Sequence, residues 1–216
     1  MRAFKFLGRD GSTIISGVTW PLPDGPRPGR WLDVGTVRPC REGVHACRVE
    51  HLAYWIHQEL YEIELAGEIV ESHHKVVAPR GRLLRRLEPW SAGVAKELAV
   101  WCAWRVRQAA VTLLREEGDD AGADRFAAAT TMGELVAAAP PAVANPVTSV
   151  AATVAALASD AAAASATTHY AGAPFIASCA AGYAAAKEDD QAAYDQGYAT
   201  ERRAQSEWLA GRLELV

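Results

Sequence analysis

The chain has 216 residues, half of them hydrophobic and 22% charged, a balance that supports a buried core and excludes an intrinsically disordered chain. Its formal net charge of -4 gives no general attraction to nucleic acid. No run of about twenty apolar residues occurs, so a helical membrane span is not expected.

In chain order, the opening MRAFKFLGRDG holds only a short apolar stretch before Gly8, too short for the core of an export signal. The expectation is a cytoplasmic protein whose Cys40, Cys47, Cys102 and Cys179 serve as thiols or ligands. Residues 19–31, TWPLPDGPRPGRW, carry four prolines, so they read as a loop. Trp20 and Trp31 flank that loop, where they either pin it to its own domain or line a ligand groove.

Residues 38–51, RPCREGVHACRVEH, place Cys40, His45, Cys47 and His51 within twelve positions. Thiolate and imidazole are the ligand types zinc takes, but C-x4-H-x-C-x3-H is not a familiar zinc spacing. Cys40 joins the others only if the chain folds back around Gly43. His45 and Cys47 could instead form an activated thiol beside a base, although side chains two apart on a strand lie about 6 to 7 Å from each other. Packing of a histidine and buried thiols inside a small sheet is the favoured reading.

Between Cys47 and Gln58, Val49, Leu52, Ala53 and Ile56 recur at helical spacing and predict a short helix. In YEIELAGEIVE, Tyr61, Ile63, Leu65 and Ile69 alternate with Glu62, Glu64 and Glu68. This pattern predicts a half-buried strand with a solvated acidic face and a bulge at Gly67. Residues 75–78 form its partner strand, with ESHH as the turn. Lys75, Arg80, Arg82, Arg85 and Arg86 follow within twelve residues. They make either a solvated face, partly neutralised by the acidic strand, or a site for a phosphate-bearing ligand that arginine's planar fork suits.

Composition then changes. Residues 1–90 contain five alanines and residues 91–216 contain thirty-nine, which sets a boundary near Trp90. Ser91 can cap a helix whose Val94, Leu98, Trp101, Cys102, Ala109 and Leu113 line one side, ending at Gly118. TMGE from Thr131 is a capping box. Pro140, Pro141 and Pro146 interrupt the pattern, an alanine-rich helix follows from Val147, and Gly172 and Pro174 break it again. A last helix spans about residues 189–213, with Tyr194, Tyr198, Glu201, Gln205 and Trp208 spaced as a buried stripe or a partner face, core packing being the favoured reading. Arg202 and Arg203 read as surface pairing.

The pattern C-x-x-G-x-H-x-C from Cys40 to Cys47, followed by an aromatic helix and then YEIELAGEIVE, resembles an uncharacterised domain family of phage and bacterial proteins over roughly the first 90 residues. Gly43, His45 and Cys47 carry the match, with Glu64, Leu65, Gly67, Ile69 and Val70 in the strand. The resemblance implies a domain identity and no catalytic role. The second half looks like alanine-rich helical extensions of high-GC actinobacterial proteins, on composition alone.

These readings give an α+β chain, with a small antiparallel β domain at residues 1–90 followed by an alanine-rich helical array at 91–216. The functional expectation is a cytoplasmic binding or interaction protein. Its partner is a small anionic ligand or a protein, met near His45 and the basic segment. The alternative is an enzyme that uses His45 and Cys47, with Arg80 or Arg82 holding a phosphate-bearing substrate. Glycine-rich phosphate loops, H-E-x-x-H and G-x-S-x-G are absent, and no cofactor is expected.

Overall fold

The computed structural model describes residues 1–138, 149–167, 169–186 and 190–215. Strands β1 (Arg2–Leu7), β2 (Leu32–Asp33), β3 (Val44–Ala46), β4 (Glu59–Ala66), β5 (Val70–Ser72), β6 (Lys75–Ala78) and β7 (Arg80–Arg86) come first. Helices α1 (Ala92–Glu116), α2 (Asp120–Ala128), α3 (Met132–Ala137), α4 (Val150–Ala164), α5 (Gly172–Ala185) and α6 (Gln191–Arg212) follow. The chain is therefore α+β, with antiparallel sheets ahead of helices. It divides into two compact units, Met1–Val94 together with Ser206–Val216, and Ala95–Gln205. Composition had drawn its line near Trp90 and did not indicate that the last residues of the chain group with the first.

In the first unit, one sheet has the order β1-β4-β7-β2 and the other β3-β6-β5, every pairing antiparallel. A bridge between Phe4 and Cys47 links them, each amide donating to the other residue's carbonyl at 2.8 Å. Val44, Ala46, Ile63, Leu65, Val76 and Leu83 are buried in the core cluster of this unit. Trp20 belongs to the same core, so its indole pins the proline-rich loop to the domain.

The stretch expected as one strand over 61–71 is two strands. Gly67, at φ +89, turns the chain from β4 towards β5, and a Cβ there would meet Pro79 Cγ at 2.4 Å. The irregularity in the ladder lies at Glu62/Ile63, not at the glycine. The expected solvated acidic face is also corrected: Glu62 is 8% exposed. β7 lies antiparallel beside β4 in a register that sets Arg85 opposite Glu62 and Arg82 opposite Glu64, so cross-strand guanidinium groups cover the carboxylates. β6 pairs with β5 as expected, and His73, at φ +48, makes the turn between them. Over Val49–Tyr54 the helix is a 3-10 turn, with Leu52 and Ala53 buried.

In the second unit the stripe expected on α1 holds at Leu98 and Cys102, which are buried, and shifts beyond them. Ala103, Val106, Ala110 and Leu114 are buried, whereas Ala109 and Leu113 are only partly covered. Ser91 does accept from Val94 N–H at 3.3 Å, and Gly118 follows the helix at φ +84. The capping box is present: Thr131 Oγ1 takes the Glu134 amide at 3.2 Å while Glu134 Oε2 takes the Thr131 amide at 3.0 Å. Pro140, Pro141, Pro146 and Asp189 lie outside the described residues. Gly172 and Pro174 do not end a helix; they form the first turn of α5, where proline's missing amide has no helical partner to lose.

Small side chains let the helices of this unit approach closely, and Ala151, Ala155, Ala158, Ala162, Ala173 and Ala177 are all buried. Arg202 is buried rather than a surface residue, at 5% exposure, with its guanidinium on Tyr198 Oη at 2.9 Å. Glu201 accepts from Arg105 at 2.8 Å, and the fully buried Gln205 donates to Pro174 O at 3.0 Å and to Ser178 Oγ at 3.2 Å. Of the stripe expected on α6, Glu201 and Gln205 are buried and hydrogen-bonded, whereas Tyr194, Tyr198 and Trp208 are half-buried.

Candidate functional site

The amino-terminal hexapeptide RAFKFL alternates along β1, so Lys5 shares a face with Ala3 and Leu7, both of which are buried. A lysine on an inward face needs somewhere to put its ammonium. Here it enters a cavity of about 610 Å³ in the first unit, whose wall includes Phe6, Trp20, Val44, His45, Cys47 and Lys75. Lys5 Nζ donates to the His45 carbonyl at 2.7 Å and stands 4.9 Å from the Trp20 ring centroid. Loss of water around the ammonium lowers its pKa to about 8.

The lip of this cavity is apolar. Ile14, Ile15, Val18 and Val34 line it and are 47%, 83%, 51% and 45% exposed. The other wall carries charge, from Arg41 and Lys75 and from Glu42, whose carboxylate is held by Arg38. Pairing sets the cavity cations apart from most others in the unit. Arg2, Arg38, Arg48, Arg80, Arg82, Arg85 and Arg86 each hold a carboxylate. Among the described residues Lys5, Arg41 and Lys75 form no salt bridge, nor do the exposed loop residues Arg9, Arg27 and Arg30, which lie off the cavity.

The sequence cluster of cysteines and histidines resolves into separate jobs. Arg38 and Glu42 pair across a tight turn in which Cys40 sits at φ +68. Gly43 follows at φ +125, where a Cβ would lie 2.4 Å from Val77 Cγ1. His45 closes the turn: its Nε2 accepts the Cys40 amide at 3.3 Å. Burial, then the positive charges of Lys75 and Lys5, lower the imidazole's pKa, so at neutral pH it is the uncharged acceptor this bond requires. Cys47 is 1% exposed, and burial pushes its thiol up to about 12, leaving almost no thiolate at neutral pH. Cys40 is exposed and takes a hydrogen bond from Lys75 Nζ at 3.0 Å. His51 is grouped instead with Tyr54 and His74, its ring 5.5 Å from that of His74. Among the described residues no three His, Cys, Asp or Glu side chains converge to hold a metal ion, and Cys40, Cys47, Cys102 and Cys179 are free thiols.

Of the ligand-binding residues expected from sequence, Trp20 and Lys75 line the cavity with His45 and Cys47. Trp31 does not line it; the guanidinium groups of Arg80 and Arg82 lie 5.1 and 4.8 Å from its ring. Arg85 bonds Glu62, and Arg86 bonds Glu59 and Glu88. The four arginines of the basic run are thus brought against acidic residues of β4, Asp33 and Glu88. Lys5 and Arg41 were missed. For Lys5 the signal was present, a lysine between Ala3 and Leu7 on the buried face of a strand. For Arg41 there was none, because its place at the cavity depends on the turn that His45 closes.

Compared with protein-family models, with curated proteins and with solved structures, the chain has no match. Among the described residues no helix is long and apolar enough to cross a membrane.

Proposed function

We propose that the first unit is a binding module whose cavity takes a small amphipathic anion. The apolar body lies against Trp20 and the lip of Ile14, Ile15 and Val18, and the anionic group meets Lys75 and Arg41. An oxygen acceptor deeper in the cavity is served by Lys5. The observation that carries this reading is the position of unpaired cations. Among the described residues seven arginines of the unit are neutralised by carboxylates, while three cations that line this cavity form no salt bridge. A desolvated ammonium is costly to maintain, and an anion entering the cavity would offset that cost. Four exposed aliphatic side chains gathered on the lip supply the apolar contact such sites use. The resemblance of residues 1–90 to phage and bacterial domains is compatible with this role and assigns it no ligand.

Titration calorimetry with 1-naphthaleneacetate tests the proposal. The expected result is one site per chain, with affinity at least tenfold weaker in the K75E/R41E double variant and unchanged in R27E, a charge reversal off the cavity. No heat of binding to the native protein, or equal affinity in all three proteins, overturns it.

A further inference from the structure

We infer that Lys5 is a covalent capture residue, whose amine condenses with the carbonyl of an aldehyde held in the cavity to form a reversible imine. This rests on the cavity being a ligand site and names the ligand class further, as an aldehyde with an apolar body. Three features of the geometry support it. First, the amine lies on the cavity wall, so a ligand seated there reaches it. Second, among the described residues no carboxylate is salt-bridged to the ammonium, so nothing but the His45 carbonyl and the Trp20 ring holds it. Third, these two groups suit the product. An iminium nitrogen keeps one N–H for the His45 oxygen and keeps its positive charge near the face of the indole.

Desolvation supplies the nucleophile. With its pKa lowered to about 8 by desolvation, Lys5 holds more free amine at neutral pH than an ordinary lysine. In the step itself the neutral Nζ lone pair forms a bond to the aldehyde carbon, and the carbonyl π pair moves to oxygen, which takes up a proton as the nitrogen gives one up. The carbinolamine then expels that oxygen as water, with a second proton, and the carbon–nitrogen double bond forms. Net, one amine, one aldehyde and one proton give an iminium and one water, with no oxidant or reductant. An apolar cavity favours the dehydration by keeping bulk water from the product.

The test is reductive trapping of 1-naphthaldehyde by cyanoborohydride on the full-length protein, followed by peptide mapping. The chain has only four lysines, Lys5, Lys75, Lys96 and Lys187, so the assignment is unambiguous. Expected is one adduct per chain on Lys5, formed at least tenfold faster than on Lys96, and protected by excess 1-naphthaleneacetate. Lys5→Met should abolish it. Labelling at similar rates on all four lysines, or an unchanged adduct yield in Lys5→Met, overturns the inference. The native map decides the matter even if the variant fails to fold. If 1-naphthaleneacetate binds but Lys5 is not labelled, the covalent step alone fails; if neither probe binds, the cavity reading fails with it.

Discussion

A single histidine illustrates how reactive-looking residues can have a structural duty. His45 accepts the Cys40 amide, and it can do so only while its Nε2 is unprotonated. Its folded pKa lies below its ordinary value of 6.5, so the native state binds a proton less readily than the unfolded chain. The sign follows. The contribution is complete above about pH 6.5 and is lost as pH falls through the lower, folded pKa. His45→Ala is therefore expected to cost about 1 kcal/mol at pH 7. It should also flatten the fall in urea midpoint between pH 7 and pH 5, as followed by tryptophan fluorescence. A variant whose midpoint falls as steeply as the native protein's would assign that pH dependence to other groups.

At the scale of elements, the turn from Arg38 to Gly43 governs whether the site exists. Gly43 adopts a conformation that residues with a side chain rarely take up, and its missing side chain leaves room for Val77 on β6. Gly43→Ala is expected to destabilise the protein by about 3 kcal/mol through backbone strain and that clash. Melting temperature by circular dichroism would report it, and weaker 1-naphthaleneacetate binding should accompany it because Arg41 sits in the same turn. The sequence made this glycine legible as a turn. It did not make legible that β6 packs on it, because Val77 lies 34 positions downstream and only strand pairing brings it near. The same limit explains Glu62. Period-two spacing places it outward, yet the neighbouring β7 supplies guanidinium groups that bury it. The Thr131 box and the Ser91 cap, by contrast, were readable because each closes within three or four residues.

For the whole molecule, the notable feature is that chain ends meet in one unit. Leu209, Ala210 and Leu213 are buried, and Ser206 Oγ accepts the Ala53 amide at 3.1 Å. A fragment of residues 1–94 lacks this segment. It is expected to show no cooperative thermal transition and a collapsed near-ultraviolet dichroism spectrum, where the full-length protein melts sharply. A fragment that melts cooperatively near the native temperature would show that residues 206–216 contribute little to the unit's core.

What the sequence by itself determined was whatever closes locally or repeats with a fixed period: the α+β class, the proline-rich loop, the partner strand at 75–78, the helix caps and the last helix. Such features depend on neighbours a few residues away, which any window of sequence contains. The cavity depended on more. Lys5, Arg41 and Lys75 come from β1, a turn and β6, and they converge only because two sheets are joined through Phe4 and Cys47. Desolvation of Lys5, neutrality of His45 and burial of Cys47 are set by that convergence, since each results from what surrounds a side chain in space. Tertiary structure alone could decide which of the charged and sulfur-bearing residues line the cavity and which hold the fold together.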